Sequence, residues 1–126
     1  RDVVTRAHRG EPVVGLRDYT ACPSYAPDIA WATAKLLSQS RSNGTYHLIN
    51  GPAISRFEMA RTILCQAGLS TEVTPQSQET MDPGWIPRNA KGGLHNNRGP
   101  KLRPWTEALA EYLPLLHSTF AETPTP

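Results

Sequence analysis

The sequence predicts a small α/β layer, and three observations carry that expectation. Apolar spacing near the helical period alternates with short β-type runs, turn residues mark each change, and one helix start is spelled out by a capping box. Along the chain the expected order is helix, strand, helix, strand, helix, strand, long loop, helix.

RDVVTRAHRGE reads as the last turns of a helix, with Val3, Val4 and Ala7 on one side and Gly10 as its stop. The chain therefore opens inside an element, as an excised fragment of a longer protein would. Pro12 to Leu16 is a short β-type run, followed by the turn-prone RDYTACPSYAP. A helix begins at Asp28, a cap or first-turn charge, and carries Ile29, Ala32, Thr33, Leu36 and Leu37 at helical spacing to about Ser40. After the Asn43-Gly44 turn, Thr45 to Ile49 is expected as a second strand ending at Asn50-Gly51. Ser55 and Glu58 form the capping box, and the stripe Phe57, Ala60, Ile63, Leu64, Ala67 runs to a stop at Gly68. Thr71 to Thr74 is a third short strand. Pro75 to Pro104 shows almost no periodicity and is expected as a long loop. In the final helix Pro104 suits the first turn, and Trp105, Leu109, Tyr112, Leu113 and Leu116 share a face, with Thr119 to Pro126 fraying.

The 126 residues suffice for one modest core; 13 basic against 11 acidic residues leave a net charge of +2, too mild to imply nucleic-acid or membrane affinity. Apolar runs are too short to span a bilayer, so a soluble, cytoplasmic protein is expected. Cys22 and Cys65 are too few for a disulfide scaffold and lack metal spacing. No glycine fingerprint, Walker loop, paired histidine motif or nucleophile elbow is present, which makes free-standing catalysis improbable.

Two loops remain as candidate sites. Arg88, Lys91, Arg98, Lys101 and Arg103, with His95, line a Gly/Pro loop free of acids that either grips a phosphate or simply faces water. RDYTACPSYAPD offers the hydroxyls of Tyr19, Thr20, Ser24 and Tyr25 to a polyol, or is an ordinary connection. Cys22 is reactive if it lies near Arg17 and otherwise a silent thiol. Trp85 and Trp105 are candidates for stacking on a base or sugar, with Trp105 better placed for the core.

Asp18-Tyr19-Thr20-Ala21-Cys22-Pro23-Ser24-Tyr25-Ala26-Pro27-Asp28-Ile29-Ala30 resembles the DQxGxPTxAxDLA segment of the dTDP-4-dehydrorhamnose reductase family, within the extended short-chain dehydrogenase/reductases. Gly44-Thr45-Tyr46-His47-Leu48 is similar to their GxYHL strand, and Ser55-Arg56-Phe57-Glu58-Met59-Ala60 to their S-x-x-E-x-A helix start. Arg88 to Arg98 is similar to RPxNSxLDxxK, and Leu102-Arg103-Pro104-Trp105 with Ala108-Leu109 to RPWxxAL. Departures fall in both candidate loops. Tyr19 replaces Gln, Ala21 replaces Gly, Ser24 replaces Thr, Asn89 replaces Pro, Lys91-Gly92 replaces Asn-Ser, and His95 replaces Asp.

The resemblance implies that residues 1–116 are a sugar-nucleotide substrate-binding domain and 117–126 a flexible tail. The Rossmann half that holds NADP or NAD and the Tyr-x-x-x-Lys pair is absent: four positions after Tyr19, Tyr25, Tyr46 and Tyr112 stand Pro23, Ile29, Asn50 and Leu116. It further implies reduction of a nucleotide-linked 4-keto-6-deoxysugar, with Arg88, Tyr19, Ser24 and Lys91 as substrate-binding residues. This segment itself would hold no cofactor, metal or catalytic group. The implied partners are the nucleotide sugar, the amino-terminal Rossmann half and a second copy in a homodimer. A non-catalytic regulatory subunit, or part of a nucleotide-sugar epimerase or dehydratase, is the alternative.

Overall fold

In the computed structural model the described residues are 2–39, 43–81, 84, 86 and 88–121, the last five through their backbone only. Four helices carry most of the chain: α1 (Asp2–His8), α2 (Ala26–Ser38), α3 (Arg56–Gln66) and α4 (Trp105–Ala121). The strands are short: β1 (Val13–Leu16), β2 (Thr20–Ala21), β3 (Ile54–Ser55), β4 (Val73–Gln76) and β5 (Lys91–Gly92). The α/β reading holds, with the strands divided between two small sheets.

In the first sheet β1 and β4 run parallel, with Val13 opposite Val73 and Leu16 opposite Gln76. A parallel pair needs a crossover, and α3 lies within it and packs on both strands. Val13, Ala60, Leu64 and Val73 form one buried cluster, with Val3, Ala7, Phe57 and Leu69 packed against it. Val4, Leu113 and Leu116 form a second, sharing Leu69 with the first. Gly15 fixes how closely α3 approaches, since a β-carbon there would lie 2.5 Å from the Phe57 Cα.

Both expected glycine stops are built alike. Gly10 has φ +67° and Gly68 φ +69°. In each case the next N–H reaches back five residues, Glu11 to the Arg6 carbonyl and Leu69 to the Leu64 carbonyl, both at 2.9 Å. This is the Schellman closure, which satisfies carbonyls the helix leaves open. The capping box is complete as well: the Glu58 N–H donates to Ser55 Oγ at 3.1 Å, while the Glu58 carboxylate accepts from the Ser55 N–H.

Several expectations shift. Residues 45–49 form no strand: they pair with neither sheet. The strand of this region is β3, just before the helix. β4 begins at Val73 rather than Thr71 and includes Pro75, which a two-stranded sheet tolerates because each strand keeps a free edge. α2 begins at Ala26, with Tyr25 as N-cap and Asp28 as a first-turn charge. The expected loop from Pro75 to Pro104 contains a 3₁₀ turn, Gln78–Thr80, and β5. α4 runs on past Leu116 to Ala121, while Arg1, Ser40, Trp85 and 122–126 lie outside the described residues.

Candidate functional site

The second sheet brings the two candidate loops together. β2 is its middle strand, antiparallel to β3 and parallel to β5, with Thr20 opposite Lys91 and Ala21 opposite Gly92. Two residues per strand give little stability, and side chains supply the rest. Thr20 Oγ1 and the Thr20 N–H both donate to the Ala90 carbonyl, at 2.9 and 3.0 Å. The Leu94 N–H donates to Cys22 Sγ at 3.3 Å. Cys22 thus ties loop to loop through a backbone partner.

Asp18 makes a second tie. Its carboxylate accepts from Ser77 Oγ at 2.6 Å and from the Gln78 N–H at 3.0 Å. The Ser77 hydroxyl, and then the Gln78 amide, hold the Asp18 carboxyl below the usual carboxylate range despite some opposing desolvation. Gln78 passes the constraint on: its side-chain amide donates to the Asp18 carbonyl at 3.4 Å and accepts from the Arg88 N–H at 2.8 Å.

Asn50 is the third tie and is fully buried. Its Oδ1 accepts from the Tyr25 N–H at 2.8 Å, and its Nδ2 donates to Asp28 Oδ2 at 2.6 Å and to the Arg103 carbonyl at 3.1 Å. Arg103 completes the bracket, with Nε on Asp28 Oδ2 at 2.9 Å and Nη2 on Glu111 Oε2 at 2.7 Å. Its guanidinium also lies 5.5 Å from the Tyr25 ring centre, and Tyr25 Oη donates to Glu111 at 3.3 Å. The Arg103 hydrogen bond is the main reason the Asp28 carboxyl is held low, and both acids raise the arginine. Desolvation, then the Glu111 charge, pushes the Tyr25 phenol up. Arg103 therefore differs from the other cations of the loop: its fork is committed to two carboxylates within the fold.

Beside β2 and β5 lies an open cavity of about 440 Å³. Thr20, Lys91, His95 and Asn96 contribute polar groups, and Ile49, Pro52, Ala53 and Leu94 an apolar wall. Of the residues expected to bind substrate, Lys91 lines it. Arg88 is exposed where the basic loop leaves the 3₁₀ turn. Tyr19 lies beneath Arg56, whose guanidinium is 5.4 Å from its ring centre. Ser24 is exposed and borders a different, apolar groove of about 500 Å³ together with Tyr25, Met59, Ile63, Trp105 and Tyr112. Trp105 is half-buried at that groove rather than enclosed in a core cluster. Periodicity gave no sign of Asn50 or Asn96; the one available signal was the Asn50-Gly51 turn pair, which says nothing of burial. Among the described residues no group of His, Cys, Asp and Glu could hold a metal, and no helix is long and apolar enough to cross a membrane.

The RmlD substrate binding domain family model matches residues 1–117. A dTDP-4-dehydrorhamnose reductase, an RfbD ortholog from Clostridium acetobutylicum, superposes with a TM-score of 0.79 at 24% identity, covering 92% of this chain and 42% of that one. The reductase from Bacillus anthracis in complex with NADP gives 0.75 at 24% identity, covering 98% and 42%. That from Yersinia enterocolitica gives 0.70 at 22% identity, covering 90% and 41%. The chain thus spans less than half the length of these structures. Comparison with curated proteins returns no match.

Proposed function

We propose a function from one premise: the chain belongs to the RmlD substrate binding domain family. Within a longer, cytoplasmic NAD(P)H-dependent reductase of the dTDP-4-dehydrorhamnose reductase kind, these residues hold a nucleotide-linked 4-keto-6-deoxysugar. The observation that supports this most directly is the β2–β5 register, which sets both candidate loops around one cavity. Lys91 reaches the ligand from within it, Arg88 meets the diphosphate at the end of the same loop, and Tyr19 and Ser24 belong to the loop that closes over the sugar. An arginine suits a diphosphate because its planar fork makes two parallel bonds where lysine makes a point contact.

The described residues do not fit a nicotinamide dinucleotide. β1 runs into Arg17 and Asp18, whose carboxylate is spent on Ser77 and Gln78, and not into a glycine turn that opens a helix. Cofactor and proton donor are therefore assigned to an amino-terminal Rossmann half. The exposed face of α2, with Trp31 57% and Leu37 83% accessible, offers that half an apolar surface.

The test is a sugar-dependent NAD(P)H oxidation assay with dTDP-4-dehydrorhamnose, the sugar nucleotide in the names of the structural neighbours. The intact protein should oxidise the cofactor, and the 126-residue chain alone should bind the sugar nucleotide without turnover. Turnover by the chain alone, or no binding by the intact protein, would overturn the reading. Arg88→Lys should weaken sugar-nucleotide binding by about tenfold, as loss of a charged hydrogen bond does, and leave NADP binding unchanged.

A further inference from the structure

The polar lining of the cavity is unevenly committed. Asn96 is fully engaged: its Nδ2 donates to the Pro100 carbonyl at 2.7 Å and its Oδ1 accepts from the Gly99 N–H at 2.7 Å. Thr20 Oγ1 donates to the Ala90 carbonyl. The side chains of Lys91 and His95 have no hydrogen-bond or ion-pair partner among the described residues, and no acid lines the cavity. What remains for a ligand is thus two nitrogen groups, an ammonium and an imidazole, set against Ile49, Pro52, Ala53 and Leu94. Both side chains are exposed, as are Pro52, Ala53 and Leu94, so an anion reaches them directly from solvent.

The same two positions are departures from the RPxNSxLDxxK pattern. Lys91 stands in place of Asn and His95 in place of Asp. The first change adds a positive charge and the second removes a negative one. Both move the cavity in one direction.

We propose that Lys91 and His95 make this cavity an oxyanion subsite, so that the protein selects ligands that place a phosphate or carboxylate there. The proposal rests on the reading that the cavity takes a sugar nucleotide. The shared chemistry is a compact oxyanion, which a nucleotide sugar supplies either from its diphosphate or from an acidic sugar.

Calorimetric titration of the intact protein with paired probes separates these sources. dTDP against thymidine adds only the diphosphate, UDP-glucuronate against UDP-glucose exchanges only a hydroxymethyl for a carboxylate, and inorganic pyrophosphate reports the subsite by itself. The variants are Lys91→Asn, His95→Asn, the double variant and Lys91→Arg, with Lys101→Gln as a basic-loop control outside the cavity. Each neutral variant should weaken the anionic member of at least one pair by about tenfold, one decade per lost charged contact. Thymidine binding and the Lys101→Gln variant should be unaffected, and Lys91→Arg should retain most of the affinity. The pair that responds identifies the source. If the double variant holds every anionic probe within about twofold of wild type, the subsite is overturned while sugar-nucleotide binding stands. If thymidine falls as far as the anionic probes in a protein that still melts normally, the two residues shape the cavity and select nothing, and the proposal is equally overturned. Lys91-dependent binding of pyrophosphate with no binding of any nucleotide sugar would keep the subsite and discard the substrate reading.

Discussion

The two sheets sit in parts of the molecule that are held together differently. Around β1 and β4 the chain buries Val4, Val13, Leu64, Val73, Leu113 and Leu116, and stability there follows apolar area removed from water. Around β2, β3 and β5 scarcely any large apolar side chain is buried. Polar side chains seize backbone and one another across long stretches of sequence: Asp18 on Ser77 and Gln78, Cys22 on Leu94, Asn50 on Tyr25 and Arg103. The first region tolerates small errors of shape at a graded cost. The second rests on a few directional contacts, each of which leaves a donor or acceptor unpaired when lost.

That contrast can be broken from either side. Leu64→Ala empties part of the apolar region and should cost about 2–5 kcal/mol, read as a lower midpoint in a denaturant melt. Asn50→Ala should cost about 1–3 kcal/mol, and mainly locally: exchange of the Tyr25 amide and its neighbours should speed up while the amides of α3 keep their protection. If both substitutions accelerate exchange everywhere equally, the regions are one cooperative unit and the contrast fails. Ser55 stands at the joint, a β3 residue that also caps α3, so Ser55→Ala should cost about 1 kcal/mol and show how strongly one side feels the other. The smallest effect concerns acid. Asp18 and Asp28 are both held below their ordinary values, so the stability they confer is complete above the unfolded carboxylate value near 3.9 and is lost as pH falls through their lower folded values. Melting as a function of pH should show a decline confined to that acidic window, and Asp28→Asn should flatten it.

The same division decides what the sequence makes legible. α3 is readable end to end, because the capping box, the stripe through Leu64 and the stop at Gly68 are all local signals. β1 and the start of α4 are readable for the same reason. The two-residue strands Thr20–Ala21 and Lys91–Gly92 are invisible: two residues have no period, and their pairing depends on chain 70 positions away. Arg103 shows how this misleads. In sequence it is one more cation in a basic loop, and only the arrival of Asp28 and Glu111 from two different helices turns it into a brace. The resemblance to a known family pointed to two loops, which the structure sets side by side, without showing which side chains line the space between them; Lys91 does, and Ser24 borders a different groove.

The polar ties have a consequence for the order of assembly. Asp18 and Gln78 are 60 positions apart, Cys22 and Leu94 are 72, and Asp28 and Arg103 are 75. Contacts this distant must await closure of large loops, and topologies rich in them fold slowly. On a ribosome the segment from Asp18 to Asp28 emerges tens of residues before anything it binds. Until then its donors and acceptors are spent on water, and this candidate loop, the first of the two to be made, is the last to take shape.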